Sequence, residues 1–113
     1  MLERDVEKKL VKGVAAAGGI AYKFTSPARR GVADRLVVLP GGRVIFVELK
    51  TATGVLSPLQ EAFAADMKRL SQQYVCLYGA DDVKTFLTSL AQGDLFPAEL
   101  AAAFESRVRA FVK

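Results

Sequence analysis

Asp34, Glu48 and Lys50 are the residues of this 113-residue chain whose types and spacing could do chemistry. Asp34 follows Gly31-Val32-Ala33 and precedes the apolar residues 36–39. Glu48 and Lys50 stand two apart, just after the run Val44-Ile45-Phe46-Val47. In an extended strand, residues two apart share a face, so Glu48 and Lys50 project together. A turn at Pro40-Gly41-Gly42 folds the two apolar runs into a hairpin. The start of the first run then lies beside the end of the second, and Asp34 comes next to Glu48. Two carboxylates and an ammonium meet at one edge of a mostly apolar sheet. Neighbouring carboxylates repel unless a cation lies between them. A hard divalent ion takes oxygen ligands, and magnesium keeps several waters beside one or two carboxylates. Such an ion lowers the pKa of a bound water and stabilises charge on a phosphodiester. A lysine beside it can orient the water or steady the developing charge. The same residues also fit plain surface ion pairs, Glu48 with Lys50 or Asp34 with Arg35, which are common and contribute little.

The elements that must position these groups are legible around them. Leu2, Val6, Leu10 and Val14 recur every four residues, with Val11 and Ala17 beside them, which predicts an N-terminal helix. Gly18-Gly19 ends it. Residues 20–24 form a short strand, 25–31 a polar loop, 34–39 a second strand and 43–50 a third. The apolar run in the third predicts burial on both faces. After a loop over 51–56, Ser57, Pro58 and Gln60 form a capping box that starts a helix reaching about Leu70. Residues 74–78 are a fourth strand, and 80–90 a helix with Asp81 and Asp82 near its start. Gln92-Gly93-Asp94 breaks the pattern, and residues 97–112 predict a last helix striped by Leu100, Phe104, Val108 and Phe111. The order predicts a single α/β domain, a mixed sheet flanked by helices.

Composition narrows the function classes. There is no histidine, which removes Ser-His-Asp triads and His-ligated zinc. Cys76, the single cysteine, lies in an apolar run and reads as a small buried hydrophobe, neither disulfide nor nucleophile. A reducing, cytoplasmic setting fits. The charged start reads as an amphipathic helix, not a signal peptide, and no apolar run is long enough for a transmembrane helix. Residues 1–50 hold ten Lys or Arg against five Asp or Glu, a balance of +5; residues 51–113 hold six against seven, a balance of −1. Basic excess confined to one half is the footprint of a polyanion-binding face, and also of a generic basic surface.

Several linked stretches resemble one family. Gly31-Val32-Ala33-Asp34-Arg35-Leu36-Val37-Val38-Leu39, then Gly41-Gly42-Arg43-Val44-Ile45-Phe46-Val47-Glu48-Leu49-Lys50, then Leu56-Ser57-Pro58-Leu59-Gln60 closely resemble the VRR-NUC family, small nucleases of the PD-(D/E)xK superfamily. Tyr22-Lys23-Phe24-Thr25-Ser26-Pro27 looks like the same family, and the similarity spans about residues 3–90. The resemblance implies a restriction-endonuclease-like core. It implies Asp34 and Glu48 as metal ligands, the backbone carbonyl of Leu49 as a further ligand, and Lys50 as the catalytic lysine. Glu7 matches the N-terminal helix glutamate of the family, a further ligand, although Glu3 lies four residues earlier on the same flank. Gln60 matches the glutamine after the core motif; its place in the capping box explains it equally well. Ala33 departs from the proline that commonly precedes the aspartate. Alanine loses the preset φ of proline but leaves the carboxylate in place.

The expectation is therefore a Mg2+- or Mn2+-dependent DNA endonuclease that hydrolyses phosphodiesters. Lys23, Ser26, Arg29, Arg30 and Arg35 surround the site in sequence and are the candidates for phosphate contact, which is sequence-independent and salt-sensitive. Free-standing members of the family resemble Holliday junction resolvases acting as homodimers, which implies branched DNA as substrate and a two-fold assembly. The cytoplasm of a bacterium or a phage-infected host is the expected setting. Residues 91–113 lie beyond the matched region as a helical extension that could dock on its own core or build the dimer. Two other readings stay open: an inactive DNA-binding module that kept the fold, or a flap or nicking nuclease acting with a partner. An interaction domain with no nucleic-acid role, its charged cluster a salt-bridge network, is a third.

Overall fold

The leucine and valine stripe of the N-terminal helix and the alternation of the strands explain how the chain folds. A computed structural model describes residues 3–91. Helix α1 spans Glu3–Ala16, strands β1 Ile20–Lys23, β2 Arg35–Leu39 and β3 Arg43–Lys50, helix α2 Pro58–Arg69, strand β4 Tyr74–Tyr78 and helix α3 Gly79–Ala91. The helix expected over 97–112 lies outside the described residues. The strands form one sheet in the order β1-β2-β3-β4. β1 pairs with β2, and β2 with β3, antiparallel; β3 pairs with β4 parallel, so α2 makes the crossover.

Two apolar layers sandwich the sheet. Val37, Leu39, Ile45, Val47, Leu49, Val75 and Leu77 face α1 and α3, meeting Val6, Leu10, Val14, Val83, Phe86 and Leu90. The opposite face packs Phe46, Tyr74, Cys76 and Tyr78 against Ala33, Leu56 and, from α2, Ala64, Phe63 and Met67. Phe24, Phe46, Phe63 and Tyr74 run across this layer with ring centroids 5.9, 5.7 and 6.0 Å apart, within the range where aromatic pairs gain beyond their area.

The expected burial of β3 on both faces holds only toward its end. Val44 is 42% exposed and Phe46 half-buried. The apolar layer on that face gathers around α2 and β4, and Ile20 and Val44, which share the row through Val38, are left in the open. The turn between β2 and β3 occupies residues 40–42, and Gly41 and Gly42 both adopt φ near +80°, where a side chain would be strained.

Candidate active site

Asp34, Glu48 and Lys50 are set by the ends of β2 and β3. The β2–β3 ladder closes at Arg35 opposite Val47. Asp34 stands one step beyond, and its side chain continues the pairing: Oδ2 accepts a hydrogen bond from the Leu49 amide at 2.8 Å. Its own carbonyl accepts from the Phe24 amide at 2.9 Å, tying β1 to the same spot. Asp34 is exposed, whereas Glu48 is only 2% exposed. Strand alternation places Glu48 and Lys50 on the α2 face of the sheet, Glu48 level with Cys76 and Lys50 with Tyr78 on β4. Lys50 is half-buried and lines a cleft of about 200 Å3 with Val6, Thr51, Ala52, Tyr78 and Asp81.

Tyr74 is a neighbour that motif reading did not single out. Burial, above all, and then Cys76, Glu48, Tyr78 and Asp34 hold its phenol far above the ordinary range, so it stays protonated. No local sequence signal marks it, because it sits in an apolar strand. Its electrostatic coupling to Glu48 and Asp34 follows from the order of the strands in the sheet and from no local pattern.

Glu7 is placed differently. It forms an ion pair with Arg35 Nη2, and Arg35 Nη1 donates to the Ala21 carbonyl at 3.1 Å. Arg35 alternates with Val37 and Leu39 and so lies on the α1 face, across the sheet from Glu48. Its side chain is 15% exposed, and two of its donors serve the fold. Among the described residues no group of three Asp, Glu or Cys converges as a metal cluster. The donor set at hand is therefore two carboxylates with backbone and water. That set fits a magnesium-like ion, which takes one or two carboxylates and keeps its waters. A carboxylate as buried as Glu48 is also costly to charge without compensation nearby.

Gln60 completes the capping box: its Oε1 accepts from the Ser57 amide at 2.8 Å, and its own amide donates to Ser57 Oγ at 3.2 Å. Lys23 is exposed at the end of β1, and Ser26 begins a turn in which its carbonyl accepts from Arg29. Arg29 and Arg30 are exposed on the loop between β1 and β2. Gly31 fixes that loop on α2. It adopts φ +83°, and an added Cβ would come within 2.5 Å of the Leu59 carbonyl oxygen. Asp66 on α2 meets Arg29 at 3.4 Å.

No family model matches the chain. It is similar to "Putative nuclease p44" of Acyrthosiphon pisum secondary endosymbiont phage 1, 48% identical over 79 residues that make up 70% of this chain and 85% of that protein. Its fold is similar to a solved structure described as a VRR_NUC domain, with a TM-score of 0.72, 25% identity, and coverage of 76% of this chain and 94% of that one. With that likeness in sequence and in fold, the chain belongs to the VRR-NUC family of nucleases.

Proposed function

We propose that this chain is a Mg2+- or Mn2+-dependent endonuclease that cuts branched DNA, resolving four-way junctions as a homodimer in the cytoplasm of a bacterial or phage-infected cell. The observation that carries the reading is the hydrogen bond from the Leu49 amide to Asp34. It brings Asp34 to the short segment that bears Glu48 and Lys50. Asp34 and Glu48, with the carbonyl of Leu49, would hold the ion. Bound there, the ion supplies a Lewis acid for a phosphate oxygen and a water of lowered pKa. Lys50 would orient the attacking water and offset charge on the phosphate. Tyr74, kept protonated, leaves the negative charge of the site to the two carboxylates. Glu7 would join the ligand set only by leaving Arg35. Gln60 would support the site through the start of α2.

Nuclease membership supports DNA as partner. Lys23, Ser26, Arg29 and Arg30 would meet the phosphate backbone, and Arg35 would join them only by leaving Glu7 and the Ala21 carbonyl. The basic balance of residues 1–50 favours such a polyanion. No described helix is long and apolar enough to cross a membrane. The deciding assay uses labelled four-way junction, flap and linear duplex with magnesium or manganese, comparing the unaltered chain with Lys50→Ala. Paired symmetric cuts on the junction, lost in the variant, are the expected result. Equal cutting of plain duplex would overturn the branch preference, and cleavage in the presence of a chelator would overturn the metal.

A further inference from the structure

Asp66 is the meeting point of two arginines from separate parts of the chain. Arg69 Nη2 approaches Oδ1 at 3.4 Å, and Arg29 Nη2 approaches Oδ2 at 3.4 Å. The Arg69 contact is the ordinary neighbour pair of a helix surface, three residues apart. The Arg29 contact is not local: it spans 37 positions and brings the loop after β1 onto α2. Both guanidiniums remain largely exposed, at 75% and 67%. Two forked donors therefore converge on one oxyanion at the surface, an arrangement suited to a carboxylate or a phosphate. Exposed pairs of this kind contribute little stability, so exchanging the internal carboxylate for another anion costs little.

The place of this pair in the fold favours a phosphate of a bound strand. Ala64, on the same helix, packs in one layer with Ala33, the neighbour of Asp34. Leu59, at the start of α2, abuts Gly31 on the loop that carries Arg29 and Arg30. Arg29 stands five residues before Asp34, on the segment that leads into β2. An anion held by Arg29 and Arg69 is therefore joined to the candidate site through that segment, as a further phosphate of a bound strand would be.

We propose that Arg29 and Arg69 form a phosphate-binding site for the DNA strand outside the scissile position, with Asp66 as an internal counter-ion that the phosphate displaces. The proposal rests on the nuclease reading above and adds Arg69 and Asp66 to it. The phosphate replaces a carboxylate that is already held by two guanidiniums, so the arms need no large rearrangement. Asp66 tunes the affinity by competing for them.

The test measures binding of fluorescein-labelled four-way junction and linear duplex by Lys50→Ala protein, by anisotropy over a series of potassium chloride concentrations. Arg69→Ala and Arg29→Ala should each weaken binding and lower the slope of log K against log salt by about 0.9, one phosphate contact on B-DNA. Asp66→Asn should tighten binding. A misfolded variant cannot produce that gain, which separates the site from general damage. Binding by the parent protein that Arg69→Ala leaves unchanged in strength and slope overturns this site alone. Weaker binding by Asp66→Asn overturns the counter-ion role. No binding of either DNA by the parent protein overturns the nuclease reading and this site with it.

Discussion

The side chain of Asp34 accepts the Leu49 amide at 2.8 Å, so a carboxylate stands where the next backbone acceptor of β2 would otherwise be. The bond gives Asp34 two separable roles, closing a ladder and presenting charge. Asp34→Asn keeps an acceptor for the amide and removes the charge. Its thermal midpoint should stay close to that of the unaltered chain, while metal-dependent cleavage falls about 10- to 100-fold or more. Full activity in this variant would leave Asp34 as a strand cap and nothing else.

Lys50→Ala separates chemistry from binding. Loss of one charge-stabilising donor should lower the single-turnover rate by about 100- to 1,000-fold. Affinity for DNA, carried by several phosphate contacts, should change far less. Parallel loss of both would place Lys50 among the binding groups.

Gln60 is bound into the capping box, and substitutions can distinguish that role from catalysis. Gln60→Glu retains the acceptor for the Ser57 amide and should cleave as the unaltered chain does. Ser57→Ala should lower stability by about 0.5–2 kcal/mol, read from urea unfolding. A strong loss of rate in Gln60→Glu, with stability intact, would move Gln60 into the reaction.

The ion pair between Arg35 and Glu7 crosses from β2 to α1 with Arg35 largely buried. Arg35→Ala should cost about 1–3 kcal/mol, because a part-buried carboxylate loses its donor. Glu7→Gln should cost less, since the amide oxygen still accepts from the guanidinium. If Glu7 also turns to the ion, Glu7→Gln raises the magnesium concentration needed for half-maximal rate; an unchanged magnesium dependence would assign it to structure alone.

Tyr74 links the site to alkaline stability. Its phenol is raised above the ordinary value of 10.0, chiefly by burial. The unfolded chain then releases that proton first, so stability is full below about pH 10 and falls as pH rises above it. The slope from this one group is about 1.4 kcal/mol per pH unit. Tyr74→Phe should flatten the alkaline limb of unfolding free energy against pH, and an unchanged limb would exclude this origin.

The hairpin and its acidic edge were legible because strand alternation and a glycine turn act over a few residues. Glu48 with Lys50 needs only the period of two, and Asp34 beside them needs only the turn at Pro40-Gly41-Gly42. The pairing of Arg35 with Glu7 was not legible, since it depends on which face of β2 meets α1 across 28 positions. The same holds for Arg29 on Asp66, a contact between a loop and a helix with no shared periodicity. The exposure of Val44 was missed for a related reason. An apolar run reports what a strand can bury, and the placement of α2 over β4 decides what is buried.

The β2–β3 hairpin keeps the candidate site in one piece of the chain. Asp34, Glu48, Leu49 and Lys50 lie within one short contiguous segment, joined by a tight turn and cross-linked by its own side chain. Closing so short a loop costs little entropy, so Asp34, Glu48 and Lys50 can meet before distant parts of the chain do. The surrounding helices and loops can then diverge in length and charge while the segment persists as one heritable block. New substrates would arise by changing what is built around the hairpin, as on the surface where Arg29 and Arg69 meet.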